Sequence, residues 1–246
     1  MSLEDGQVDG PTRRTGRRLI AEEIQKTIDR LHKRISDRFP QSGLAGVCQE
    51  LSEISRESDQ VIEWICRPNY WMRIGVGLVL ALLAVAAVYS MVGLDLRTGG
   101  LSVSDFFQMT EAALNEVVLL AAGITFLVTF ENRRKRRRVI QAVNRLRYIA
   151  HLTDAHQLIK DPDTVPRVST PMASSPSREI TPFELGRYLD YCSEMLSLTG
   201  KLGFLYVQDF DDPVANDAVN DLEGLTTGLS QKIWQKIMIL RGGRGL

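Results

Sequence analysis

A chain of 246 residues has room for one large or two small domains, and its 30 basic and 30 acidic residues cancel, so no whole-chain field directs it to nucleic acid. Cys48, Cys66 and Cys192 stand far apart with no C-x-x-C pair, which excludes a disulfide framework and a conventional zinc site. Each cysteine falls on the apolar stripe of a predicted helix and reads as a reduced core residue. His32, His151 and His156 are too few for a metal cage without carboxylate help.

The first eighteen residues are polar, with Arg13-Arg14 and Arg17-Arg18 and no apolar stretch behind them. No cleavable signal peptide is expected, and the tail is expected to be disordered up to Gly16. From Leu19 to Phe39, the residues Ile20, Ile24, Ile28, Leu31, Ile35 and Phe39 recur at steps of four and three, the apolar face of a helix. Pro40-Gln41-Ser42-Gly43 breaks that helix. A second helix places Leu44, Val47, Leu51, Ile54, Val61 and Ile65 on one stripe and ends before Pro68. The two form an antiparallel hairpin.

Ile74 to Leu94 is a run of 21 residues without a charge. At the rise of an α-helix it reaches roughly 31 Å, the thickness of a hydrocarbon core. Ala112 to Phe130 is a second run of 19 residues whose one charge, Glu116, lies near its start. Arg67 and Arg73 precede the first run, and the block Arg133, Arg134, Lys135, Arg136, Arg137 and Arg138 follows the second. The loop between them, Asp95 to Glu111, has Arg97 against Asp95, Asp105 and Glu111. The bias in lysine and arginine puts both termini in the cytoplasm. Tyr70, Trp71 and Phe130 stand where interfacial aromatic anchors belong. The basic block then reads as a topological stop and a contact for anionic lipid, worth about 1 kcal/mol per charge near the surface. With no aromatic residue interleaved among its charges, it reads poorly as a nucleic-acid site.

Val139, Val143, Leu146, Ile149 and Leu152 continue the helical period without a proline or glycine from Phe130 to Lys160, so span and extension are expected to form one helix of nearly fifty residues. Asp161-Pro162 ends it, and a Pro-, Ser- and Thr-rich linker follows. Thr181-Pro182-Phe183-Glu184 restarts a helix with a capping box. Its stripe is Leu185, Tyr188, Cys192, Met195, Thr199, Leu202 and Tyr206. Asp212 caps the last helix, whose stripe is Val214, Ala218, Leu222, Leu225, Leu229, Ile233 and Ile237. Glu131 to Lys160 holds nine basic and two acidic residues, net +7, and Glu179 to Leu240 four basic and ten acidic, net −6. Blocks of opposite sign predict that the final hairpin docks on the basic rod.

The second apolar run carries the candidate site. Glu111, Asn115, Val118, Ala122, Thr125, Thr129 and Asn132 fall on one stripe. Polar and small residues on one side of a membrane helix mark either packing against a second helix or protomer, or the lining of a water path in an oligomer. Glu116, one residue off the stripe, suits the outer interface or a cation-attracting role. Gly77, Ala81 and Ala84 on the first run are compatible with close helix approach. In His151-Leu-Thr-Asp154-Ala-His156, one helix cannot gather both histidines, so the segment reads as a polar face towards the final hairpin. The turn from Asp209 to Pro213 lacks the closing glutamate of a calcium loop. No phosphate-binding glycine loop, nucleophile elbow, zinc-protease motif or kinase set occurs.

The expected fold is all-α: an integral membrane protein with two transmembrane helices forming a hairpin and a cytoplasmic helical bundle. Its expected parts are a disordered tail (1–16), a cytoplasmic hairpin (17–67), transmembrane helices (71–95 and 112–131) around a short outer loop (96–111), a cytoplasmic extension (132–160), a linker (161–180) and a C-terminal hairpin (181–240). This plan resembles that of small bacterial two-span membrane effectors, in architecture and without a shared motif; the compartment it implies is a bacterial inner membrane. The expected function is non-enzymatic: an oligomer that conducts, gated by its cytoplasmic helices, or alternatively a membrane-anchored adaptor for a cytosolic protein. The expected partners are anionic headgroups, further copies of the chain and a cytosolic protein, with no nucleic acid, no metal and no cofactor.

Overall fold

The computed structural model describes residues 11–67, 74–82, 85, 103–158 and 180–242, with the side chains of 11–19 and of several positions between 103 and 119 outside the description. The described residues are helical apart from their turns, and five helices are named here: α1 (Pro11–Arg38), α2 (Gly43–Cys66), α3 (Val103–Leu158), α4 (Pro182–Leu205) and α5 (Pro213–Gly242). They divide into two compact units. One joins Met1–Cys66 to Arg138–Leu246, and the other is Arg67–Arg137.

The first unit is a helical bundle built on the expected stripes. All seven predicted stripe residues, from Leu185 on α4 to Tyr206 at its C-cap, are buried. Thr181 caps the helix as its sequence dictates: its hydroxyl accepts from the Glu184 amide at 3.2 Å, and the Glu184 carboxylate accepts from the Thr181 amide at 3.0 Å. On α1, Ile28, Leu31 and Ile35 are fully buried, and Phe39 meets Tyr188 and Tyr191 edge-on, with centroids 5.4 and 6.3 Å apart. Each aliphatic side chain so buried contributes about 1.5–3 kcal/mol of transfer free energy. The turn between α1 and α2 puts Gln41 at φ 61, and Ser42 caps α2 by accepting from the Ala45 amide at 3.2 Å.

Where α1 and α2 meet, one crossing is polar. The Ser52 hydroxyl donates to the Asp29 carboxylate at 2.6 Å, and Arg56 donates to the same oxygen at 3.1 Å. The α4–α5 hairpin closes tightly at Gly203. A methyl group there would lie 2.7 Å from Leu222 Cδ2 and 3.7 Å from Leu146 Cδ1 of α3. Asp212, nearly buried, accepts from the Ala215 amide at 2.9 Å and starts α5 in front of Pro213.

Several expectations are corrected. Residues 11–16, expected in the disordered tail, belong to α1, with Pro11 at a first helical position that needs no amide donor. Residues 103–111, expected in the loop between the two apolar runs, belong to α3, since nothing after Val103 breaks a helix. Ile20 is 49% exposed and Val214 45%, because both helices begin beyond the edge of the core; Ala21, Ala215 and Val219 take the inward positions. Cys66 is only partly buried, at the end of α2.

The second unit contains residues 74–82 and Val85, helical where described, and the first part of α3. Ile74, Leu78, Leu80, Leu82 and Val85 are exposed, as are Leu114, Val117, Val118, Phe126 and Phe130. Among the described residues, no helix is long and apolar enough to cross a membrane. Residues 83–84 and 86–94, which complete the first apolar run, lie outside the description, as does the linker up to 179.

Candidate functional site

α3 is a single helix of 56 residues that takes part in both units. Its sequence has no proline, and its one glycine, Gly123, has open space around it. The helical period therefore runs unbroken from the apolar stretch through the basic block into the bundle.

On the apolar stretch, Glu111, Asn115, Ala122, Thr125, Thr129 and Asn132 are all exposed and share one face. The positions that are partly covered, Leu120, Ile124, Leu127 and Glu131, lie on the opposite face of the helix. The predicted stripe therefore stays open while its back is partly covered. Thr125 donates its hydroxyl to the Ala121 carbonyl at 2.7 Å, which satisfies the donor without a second helix. Phe126 and Phe130 stack at 6.3 Å beside the stripe. The side chain of Glu116 lies outside the described residues. Gly77 is exposed with nothing near it, and Ala81 is exposed, so the small-residue spacing makes no close approach among the described residues.

The basic block does not act as one patch. Lys135 pairs with Glu131 at 2.8 Å, both side chains largely covered, and Arg138 stacks over the Trp64 ring at 4.6 Å. Arg136 is engaged as well. Arg133, Arg134 and Arg137 are exposed and lie within one third of the helix circumference. Arg138 is exposed as well, its stack on Trp64 notwithstanding, so four cations of the block stand open.

Beyond Arg138, Val139, Val143, Leu146, Ile149 and Ala150 are buried in the bundle. The rod is held on both sides. Arg145 donates to Glu57 of α2 at 2.5 Å, and this bond holds the guanidinium further above its ordinary range. Arg147 lies 3.7 Å from Asp221 of α5, and Lys236 donates to the Gln157 carbonyl at 3.2 Å. His156 occupies the space beside Gly43, where a methyl group would lie 2.1 Å from its ring. The expected docking of acidic hairpin on basic rod is therefore apolar in its substance, with one long, exposed ion pair at its rim. Glu194, from the same acidic block, pairs with Arg34 of α1 instead.

His151 is exposed, Asp154 accepts from Gln157 at 2.6 Å and His156 faces Gly43, so this segment gathers no metal-ligand set. No group of metal-competent side chains occurs among the described residues. The buried thiols are unsuited to attack. Desolvation, with Asp29 next in importance, pushes Cys48 up to about 12, and desolvation raises Cys192 as well. An open groove of about 600 Å³ between α4 and α5 is lined by Ser193, Ser197, Thr226, Thr227, Ser230, Gln231, Trp234 and Gln235. Its lining has no charged group and so no acid–base pair.

Sequence reasoning missed the Trp64–Arg138 stack, the Gly43–His156 contact and the Gly203 crossing. Gly200 and Gly203, three apart on the inner side of α4, were the one local signal for close helix approach. The others depend on tertiary placement and leave no mark in spacing. No protein family, curated protein or solved structure matches the chain.

Proposed function

We propose that this chain is a non-enzymatic, oligomeric two-span membrane protein in which α3 lines a conducting path and the cytoplasmic bundle governs it. The observation that carries the reading is the face of α3 on which Glu111, Asn115, Ala122, Thr125, Thr129 and Asn132 stand open, opposite the partly covered Leu120 and Leu127. A membrane helix that packed its polar stripe inside its own chain would cover that side first. Membrane crossing itself is supported by the charge-free run from Ile74 to Leu94 and by exposed apolar side chains on both stretches, which water would not tolerate in such density. Arg133, Arg134 and Arg137 then meet anionic headgroups, and both termini are cytoplasmic.

Two spans cannot enclose a path alone, so the reading requires several copies. Thr125 and Thr129 stand a turn apart towards the cytoplasmic side. Thr125→Leu replaces a hydroxyl by a larger apolar group and is expected to close the path by dewetting. Glu111→Lys reverses the charge at the outer mouth and is expected to disfavour cations, whereas Leu120→Ala, on the opposite face, is expected to affect stability alone. Ion flux from liposomes at matched incorporation measures all three. Flux indifferent to Thr125→Leu and Glu111→Lys places the path elsewhere. Absence of flux from the unmodified oligomer favours the second reading, a membrane-anchored adaptor. That reading draws on exposed Trp234, Met238 and Ile239 of α5 as a surface for a cytosolic protein.

A further inference from the structure

Glu111 and Thr129 stand 18 residues apart on α3, five full turns, so they mark one line along its open face. Val118 lies about 20° off that line, between Asn115 and Ala122, and is 65% exposed. Unlike Glu111, Asn115, Ala122, Thr125, Thr129 and Asn132, it is neither polar nor small.

Its level on the helix matters as much as its direction. From Asn115 to Thr125 the face runs about 15 Å, and between them it carries Val118 and Ala122. Over that stretch these side chains offer water neither donor nor acceptor. Ala122 is short, so Val118 reaches furthest from the helix. Thr125 differs, because its hydroxyl keeps acceptor capacity after donating to the Ala121 carbonyl at 2.7 Å. Leu114 and Phe126, 62% and 69% exposed, stand about 60° to either side, where adjacent copies would meet in a ring. Water held in a narrow section with such walls gives up hydrogen bonds without replacement and withdraws, which stops ions as well.

We propose that the Val118 side chains, one from each copy, form the resting barrier of the conducting path. The barrier rests on the conducting reading above and adds to it the level at which the path is closed. Asn115 holds water on the outer side of this level and Thr125 on the cytoplasmic side.

The test is potassium efflux from liposomes containing the full-length protein at matched incorporation, with no stimulus applied. Val118→Thr keeps the shape of the side chain and exchanges one methyl for a hydroxyl. It is expected to raise efflux by roughly tenfold or more over the unmodified protein, equivalent to a barrier lowered by about 1.4 kcal/mol. Val117→Thr makes the same exchange about 100° round the helix, at a side chain that is 63% exposed, and is expected to leave efflux unchanged. Val118→Ile is expected not to raise it. Adding Thr125→Leu to Val118→Thr is expected to suppress efflux again. An equal rise with Val117→Thr and Val118→Thr overturns the barrier, because a leak indifferent to direction has no gate at this residue. Efflux unchanged by Val118→Thr but lowered by Thr125→Leu also overturns it, and leaves the path standing with its barrier elsewhere. Efflux indifferent to Val118→Thr, Thr125→Leu and Glu111→Lys alike overturns the barrier and the conducting face together.

Discussion

Substituting Gly203 by alanine tests whether α3, α4 and α5 meet as tightly as their geometry requires. The added methyl would stand 2.7 Å from Leu222 Cδ2, closer than carbon atoms approach without movement, and 3.7 Å from Leu146 Cδ1, an ordinary contact. Leu222 and Leu146 are both fully buried, so the leucine cannot swing into solvent. Overpacking of a filled core costs about 1–3 kcal/mol. Against this, replacing glycine by alanine inside a helix gains about 0.8–1 kcal/mol. The net expectation is a loss of up to about 2 kcal/mol, or a fall in Tm of up to roughly 8 °C for a chain of this size. Gly228→Ala is the paired control. It lies within α5 with nothing near its Cβ position, so it retains the helix gain and is expected to raise Tm. Thermal unfolding of both variants, followed by helical circular dichroism, decides the matter. If Gly203→Ala stabilises the chain as much as Gly228→Ala, the crossing is loose and Leu146 does not tie α3 to the hairpin.

Three further outcomes are expected. Burial raises Cys48 from 9.0 to about 12 and also raises Cys192, Tyr188 and Tyr206. Groups raised in the folded state stabilise it fully below their unfolded values and lose that contribution as pH rises, so stability is expected to decline from about pH 9 upward, by about 1.4 kcal/mol per pH unit for each thiol or phenol involved. Cys48→Ala should flatten that slope in denaturant titrations between pH 8 and 11, and an unchanged slope would show that Cys48 does not contribute. Asp212→Ala removes the acceptor of the Ala215 amide and is expected to cost about 0.5–2 kcal/mol in chemical unfolding, with Asp212→Ser recovering most of it. Arg138→Ala removes the cation over Trp64 and is expected to cost about 0.5–1 kcal/mol and to alter the Trp64 emission, measured against Arg133→Ala, which should leave the emission unchanged.

The hairpins were legible because their stripes follow the helical period over many turns, and α4 buried every residue of its stripe. The stripe failed only at helix ends. Ile20 and Val214 satisfy the period but begin their helices outside the core, and periodicity measures direction around an axis without measuring how far a neighbour extends. The polar face of α3 was legible for the same reason, because Asn115, Thr125 and Thr129 interrupt an apolar run at regular steps. The division of the basic block was not legible. Six adjacent charges look alike in sequence, whereas Lys135 and Arg138 are committed to Glu131 and Trp64 by geometry. Charge blocks also misled. Net charges of +7 and −6 suggested an electrostatic docking, but the contact is carried by residues such as Leu146 and Gly203, whose contribution has no sign.

The bundle is assembled from two ends of the chain, with Arg67–Arg137 inserted between them. Arg34 meets Glu194 across 160 positions, and Phe39 rests on Tyr188. A ribosome adding roughly 5–20 residues per second delivers the second partner roughly 8–30 s after the first. For that interval Ile28, Leu31 and Ile35 have only α2 to lie against, and the face of α1 that belongs to α4 waits in water. The nascent α1–α2 hairpin thus carries an unfilled apolar face, and slowing synthesis after residue 137 is expected to lengthen its exposure to proteases and aggregation in proportion to the delay.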